Sequence, residues 1–211
     1  MKSRFIYIII AIMLVMLLNP YLRSLGLFGN VFSTLILAMI PLSCGMVLTR
    51  NRNNAIIILL VAAPFIILDG LSFFNTSHLL MILKLGFASF LYFYIVYLMV
   101  KHLLSIKVVT ADMIYCAIST YLLIGIGWAG IFGVVEAVAP GSFSGTPAID
   151  LLYFSFVTLT TLGFGDILPL SILAKRLVIF EATMGSIYMA VIVAMIVGRY
   201  MSMQDGESES G

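Results

Sequence analysis

The chain has 211 residues, 63% hydrophobic and 9% charged, with a formal net charge of +2 and a mean hydropathy of +1.19. A soluble domain carries about 25% charged residues, so this composition excludes a water-solvated globule and points to lipid as the solvent. The small net charge, with no basic run beyond Arg50-Asn51-Arg52, argues against nucleic acid as a partner.

Six apolar spans are predicted in chain order, at 5–22, 27–49, 55–72, 78–100, 110–137 and 172–199. A helix needs about 20 residues to cross roughly 30 Å of hydrocarbon, and lipid offers no partner for an open strand edge. The expected fold is therefore an all-α membrane protein with six transmembrane helices. The start, Met1-Lys2-Ser3-Arg4 before an apolar run, has the look of a signal peptide. No small-x-small cleavage site precedes Asn19-Pro20, so it is read as an uncleaved first helix. Cys44 and Cys116 lie inside apolar runs and read as buried, reduced and structural. His78 and His102 stand at opposite ends of one span, with no cluster that would hold a metal.

Loop charges set the orientation. Lys2, Arg4, Arg50, Arg52, Lys101, Lys107 and Arg199 fall on one side, and Arg23, Lys175 and Arg176 on the other. Both termini are expected in the cytoplasm of a multi-pass protein of the plasma or inner membrane. The segment 138–171 then faces outward.

That segment differs from the other loops. It opens on a turn-rich stretch, Val138 to Gly145, followed by Thr146-Pro147 as N-cap and first helical position. Residues Ala148 to Thr160 are apolar but too short to cross a bilayer, and the chain then breaks at Gly163 and Gly165. A short helix followed by irregular backbone between two full spans describes a re-entrant loop, tolerated at membrane depth only where it is buried in protein or lines water. No internal repeat is visible, so other copies of the chain must complete any pore. Residues 201–211 are rich in Ser, Glu and Gly and are expected to form a disordered cytoplasmic tail.

The run Thr160-Thr161-Leu162-Gly163-Phe164-Gly165-Asp166 resembles the signature T-V-G-Y-G-D of the tetrameric potassium channel family. The physical demand behind it can be stated separately. A dehydrated K⁺ needs a cage of oxygens, which backbone carbonyls of strands facing one axis supply. Successive carbonyls point the same way only if alternate residues accept unusual dihedrals, which glycine does without steric cost. The resemblance covers about residues 110–199. It implies a homotetramer with a re-entrant pore helix and selectivity filter between helices five and six. K⁺ would be held at Thr161, Leu162, Gly163 and Phe164, with Gly165 closing the filter. K⁺ is the permeant ion; no organic cofactor is implied.

Leu162 stands where the family has valine, and Phe164 where it has tyrosine. The family's tyrosine hydroxyl braces the filter against pore-helix aromatics, here Tyr153 and Phe154. Asp166 and Glu181 complete the expected filter support. Glu181 sits at mid-span, where ionisable groups face protein or water, and Ser155, Thr158 and Thr161 are its candidate partners. In the last helix the resemblance makes Gly185 a hinge and Ser186, Met189, Val193 and Ala194 cavity or gate residues. Close helix packing at Gly185 explains that glycine equally well.

The division expected is a four-helix membrane domain at 1–107, a pore domain at 108–200, and the tail. The fourth span carries one cation, Lys84, near its outer end, whereas voltage sensing needs about 3–4 gating charges per subunit. Lys84 is read as snorkelling outward, or as a lock against Asp69. The glycine run Gly125 to Gly130 suggests close helix contact, with Trp128 either packed or anchored in lipid. The function expected is passive conduction of K⁺. The alternatives are a non-selective cation channel or a non-conducting membrane regulatory subunit. An enzyme is not expected, because Asp69, Asp112, Glu136 and Asp150 are scattered at span ends with no nucleophile–base pairing.

Overall fold

The computed structural model describes residues 5–24, 40, 63–64, 67–68, 70–71, 77–106, 108–145 and 150–208. The second predicted span apart from Ile40 and most of the third, with Cys44, Asp69 and Thr146-Pro147, lie outside the described residues. Among these residues the fold is all-helical: α1 (Phe5–Ser24), α2 (His78–Ser105), α3 (Ala111–Val138), α4 (Leu151–Leu159) and α5 (Ile172–Ser208). Helices α2, α3 and α5 are long and apolar enough to cross a membrane.

Helix α3 is the centre on which the others pack. Its glycines explain how. A Cβ on Gly130 would lie 2.2 Å from Ser89 Oγ, and one on Gly127 would meet the Phe93 ring at 3.0 Å, so this face lies hard against α2. On another face a Cβ at Gly125 would meet the Phe156 ring of α4 at 2.9 Å. Trp128, read from sequence as packed or anchored in lipid, is packed: it is 4% exposed and sits among Phe93, Phe132 and Phe180. Helix α1 contributes Phe5, Ile8, Ala11 and Ile12 to the core that α2 and α3 share. Its Phe5 ring stacks on His102 at 5.6 Å. That core therefore runs across the 107/108 boundary.

Helix α3 begins at Thr110, whose side chain accepts from the Met113 amide, as an N-cap should. Its other end carries Glu136, whose two carboxylate oxygens accept from the Gly141 amide at 2.7 Å and the Phe143 amide at 3.1 Å. The turn so held puts Phe143 opposite Pro169 in an isolated antiparallel bridge. Around it Ser144 N donates to Leu168 O at 2.8 Å and Leu170 N to Ser142 O at 2.7 Å. The excursion between α3 and α5 thus leaves and returns at one end of the bundle, with its two stems hydrogen-bonded together.

Two expectations are corrected. The short helix was placed from Pro147; it starts at Leu151, because Asp150 adopts a non-helical backbone and its carboxylate accepts from the Tyr153 amide. The tail expected to be disordered from 201 is helical through Ser208. Met201, Gln204 and Glu207 are good helix formers, and the Gln204 amide donates to the Tyr200 hydroxyl one turn back. Chain composition registered the polarity of this stretch and missed its helix propensity.

Candidate ion pathway

The Thr161–Gly165 stretch emerges from the last turn of α4. Leu162 N donates to Val157 O at 2.9 Å, Gly163 N reaches the same carbonyl at 3.3 Å, and Thr161 N donates to Thr158 O at 2.9 Å. The start of this stretch is therefore tied to the helix C-terminus by three backbone amides. Beyond that point the backbone alternates. Thr161, Gly163 and Gly165 take φ of +57°, +57° and +77°, while Leu162 and Phe164 keep negative φ. Glycine meets this demand freely. Thr161 does not: a β-branched residue in the left-handed region carries strain of about 1–3 kcal/mol, held only where the surroundings impose it. Thr161 departs from the expectation that glycine alone takes the unusual dihedrals.

The aromatic support is divided. Tyr153 and Phe164 stack with planes 5° apart and centroids 6.5 Å apart. The Tyr153 hydroxyl donates to Asp166 Oδ2 at 2.7 Å. That hydroxyl beside Asp166 holds the carboxyl below its usual range, and the same bond holds the Tyr153 phenol above its own. Phe154, also expected to support the filter, does not face it. It is 5% exposed, packed between Phe132 at 5.3 Å and Phe143 at 5.2 Å. Adjacent helical residues point about 100° apart, so Tyr153 and Phe154 cannot both reach one strand.

Behind α4 lies Glu181, buried at 0% exposure. Of the three partners expected, it reaches Ser155, with Oε1 2.5 Å from Ser155 Oγ. One turn on, a Cβ on Gly185 would lie 2.7 Å from both the carbonyl oxygen and Cδ1 of Leu159. Gly185 is thus a close-packing position against the end of α4. Ser186, Met189, Val193 and Ala194 lie on the open face of α5. The Ser186 hydroxyl is turned back onto Ala182 O at 2.9 Å, and Thr160 likewise donates to Phe156 O at 2.7 Å.

Sequence reading missed several members of this site. Tyr121 donates its hydroxyl to Leu159 O at 3.1 Å, pinning the end of α4 to α3. Ser142 and Ser144 join the two stems of the excursion, and Glu136 holds the turn that leads into them. Arg199 of α5 donates to Leu103 O at 3.2 Å and Leu104 O at 3.3 Å, satisfying carbonyls at the C-terminal end of α2. Only Glu136 left a local signal, a carboxylate five residues before a turn glycine.

Residues 126–202 match a protein-family model described as "Ion channel". Among curated proteins, the chain is 33% identical over 81 residues to the inward rectifier potassium channel Kirbac3.1 of Paramagnetospirillum magnetotacticum, covering 38% of this chain and 26% of that protein. It is 36% identical over 59 residues to two-pore potassium channel 2 of Arabidopsis thaliana, covering 28% of this chain and 13% of the relative. Two-pore potassium channel 4 of the same plant is 35% identical over 66 residues, covering 30% and 23%. The chain therefore spans about a quarter or less of the length of the curated relatives it matches. No solved structure matches.

Proposed function

We propose that this chain is a member of the pore-loop potassium-channel family, on the match of residues 126–202 and its potassium-channel relatives, and that it is a K⁺-selective subunit of a homotetramer conducting K⁺ passively across the plasma or inner membrane. In this reading six helices span the bilayer with both termini cytoplasmic, and the segment between α3 and α5 is a re-entrant pore loop. One observation carries the proposal: the left-handed alternation at Thr161, Gly163 and Gly165. Backbone that alternates in hand turns successive carbonyls to one side, which four chains around an axis convert into stacked oxygen rings for a dehydrated cation. Thr161, Leu162, Gly163 and Phe164 are the proposed K⁺ ligands, with Gly165 and Asp166 at the outer mouth.

The role of the lost tyrosine hydroxyl follows from Tyr153. Phe164 has no polar handle, and the Tyr153 hydroxyl instead grips Asp166 past the stacked ring. Helix α4 aims its C-terminal partial negative charge at the cavity below the filter. Met189, Val193 and Ala194 would line the path inward, with Gly185 and Ser186 above them. The face of α5 carrying Ile172, Leu173, Ile179 and Ile187 is exposed in a single chain and would be covered by neighbouring copies and lipid.

Purified protein in liposomes under K⁺ and Na⁺ gradients tests the reading. A reversal potential that tracks K⁺ is the expected result. One that follows both ions makes the pore non-selective, and absence of flux makes the chain a non-conducting subunit.

A further inference from the structure

We propose that Glu181 is a neutral carboxylic acid that donates its proton to Ser155, and that this hydrogen-bond chain, ending on the Gly125 carbonyl, is the positioning element for the filter. Ser155 Oγ lies 2.5 Å from Glu181 Oε1 and 2.8 Å from Gly125 O. A serine hydroxyl carries one proton, and a backbone carbonyl can only accept. If the Ser155 proton goes to Gly125, the contact with Glu181 needs a proton from the carboxyl. If it goes to a carboxylate instead, two acceptors are left facing each other with no donor between them.

The second oxygen points the same way. Glu181 Oε2 is buried with no hydrogen-bond partner among the described residues. A carboxylate with a bare oxygen and a single donor is a poorly compensated buried charge, whereas a neutral acid leaves only a carbonyl oxygen unsatisfied. Closeness of the helices is what makes the chain possible. Gly125 has no side chain, so α4 settles onto α3 and brings Ser155 within reach of the Gly125 carbonyl.

The chain joins three helices at one point: α3 through Gly125, α4 through Ser155, α5 through Glu181. Its consequence for the filter runs along α4. Val157, two residues past Ser155, carries the carbonyl that receives the Leu162 and Gly163 amides. Rotation of α4 about its axis would move that carbonyl, and the chain from Glu181 prevents the rotation. On the other side of the same contact Gly185 seats Leu159, so two points one turn apart on α5 hold two points one turn apart on α4.

This inference rests on reading 161–165 as an ion filter, and its test separates the two. Infrared spectra of the reconstituted protein at neutral pH are expected to contain a protonated-carboxyl stretch that shifts in D₂O and vanishes in Glu181→Gln. If Glu181 contributes only carboxylate bands, the neutral acid is overturned, whether or not the protein conducts. In channel recordings Glu181→Gln keeps a donor and is expected to retain the wild-type open lifetime. Glu181→Ala and Ser155→Ala are each expected to shorten it on the order of tenfold, the loss of about one buried hydrogen bond. The double variant should be no worse than either single. A Gln variant that behaves like the Ala variant, or single effects that multiply in the double, would refute the positioning role. Absence of flux from the wild type alongside a positive infrared result would count against the channel reading and leave the protonated Glu181 standing.

Discussion

Tyr153 and Asp166 are joined by one hydrogen bond of 2.7 Å beside the Phe164 ring. In the proposed filter, whose aromatic is Phe164, that bond is the grip on the mouth. Tyr153→Phe removes that grip while leaving the ring to stack. The expected outcome is normal assembly and yield with shorter single-channel openings; unchanged open lifetimes would show the bond to be idle. The pH dependence has a definite sign. Asp166 has its folded pKa depressed by the Tyr153 hydroxyl, so its contribution is present above the ordinary carboxylate range and is lost as external pH falls below it. Open lifetimes should therefore hold steady as the outer solution is acidified through the usual aspartate range, falling only beneath it. In Tyr153→Phe this acid-dependent fall should disappear.

At the scale of the element, α4 is too short to be stable alone, since isolated helices under about 12–15 residues are marginal. It is held by its neighbours: Asp150 caps its start, Tyr121 bonds Leu159 at its end, and Gly185 leaves room for that end to seat. A methyl group at Gly185 would meet the Leu159 carbonyl at 2.7 Å. Because that contact is with backbone, α4 itself must shift. Gly185→Ala is expected to cost about 1–3 kcal/mol by overpacking and to lower the thermal unfolding midpoint of the purified protein in detergent. A glycine needed only for bending in the open state would leave that midpoint unchanged, with altered gating as its sole effect.

For the whole molecule, the main issue is what the helices outside the pore contribute. Helix α2 lies along α3 and shares its core, and Arg199 of α5 closes over the last carbonyls of α2. A displacement of α2 would therefore be felt by the C-terminal part of α5. The membrane potential has little to act on, however. Each elementary charge crossing the field contributes about 2.3 kcal/mol per 100 mV, and steep gating takes about 3–4 such charges per subunit. Within its apolar stretch α2 offers Lys84, in its second turn. Open probability is expected to change little with voltage, and Lys84→Gln should leave that weak dependence as it was. A steep rise with depolarisation that Lys84→Gln flattens would assign α2 a sensing role.

The order of residues alone determined that this chain suits lipid, that its helices α2, α3 and α5 are long and apolar, and that 161–165 carries the glycine pattern behind the proposed ion filter. All three are local properties: hydropathy over one span, and glycines placed where the backbone must change hand. Glu181 was also legible as a site residue, because a carboxylate in an apolar run is conspicuous. Its partner was not, since Ser155 and Gly125 come near it only when three helices pack. The left-handed Thr161 was likewise hidden: nothing in a threonine signals positive φ, and the strain is imposed by amides drawn back onto Val157 and Thr158. Phe154 and Tyr153 read alike in sequence, and only the rotation of α4 sent one into the core and the other onto Phe164. Partnerships across helices depend on which faces meet, and that is decided by packing glycines and caps acting together rather than by any one stretch of chain.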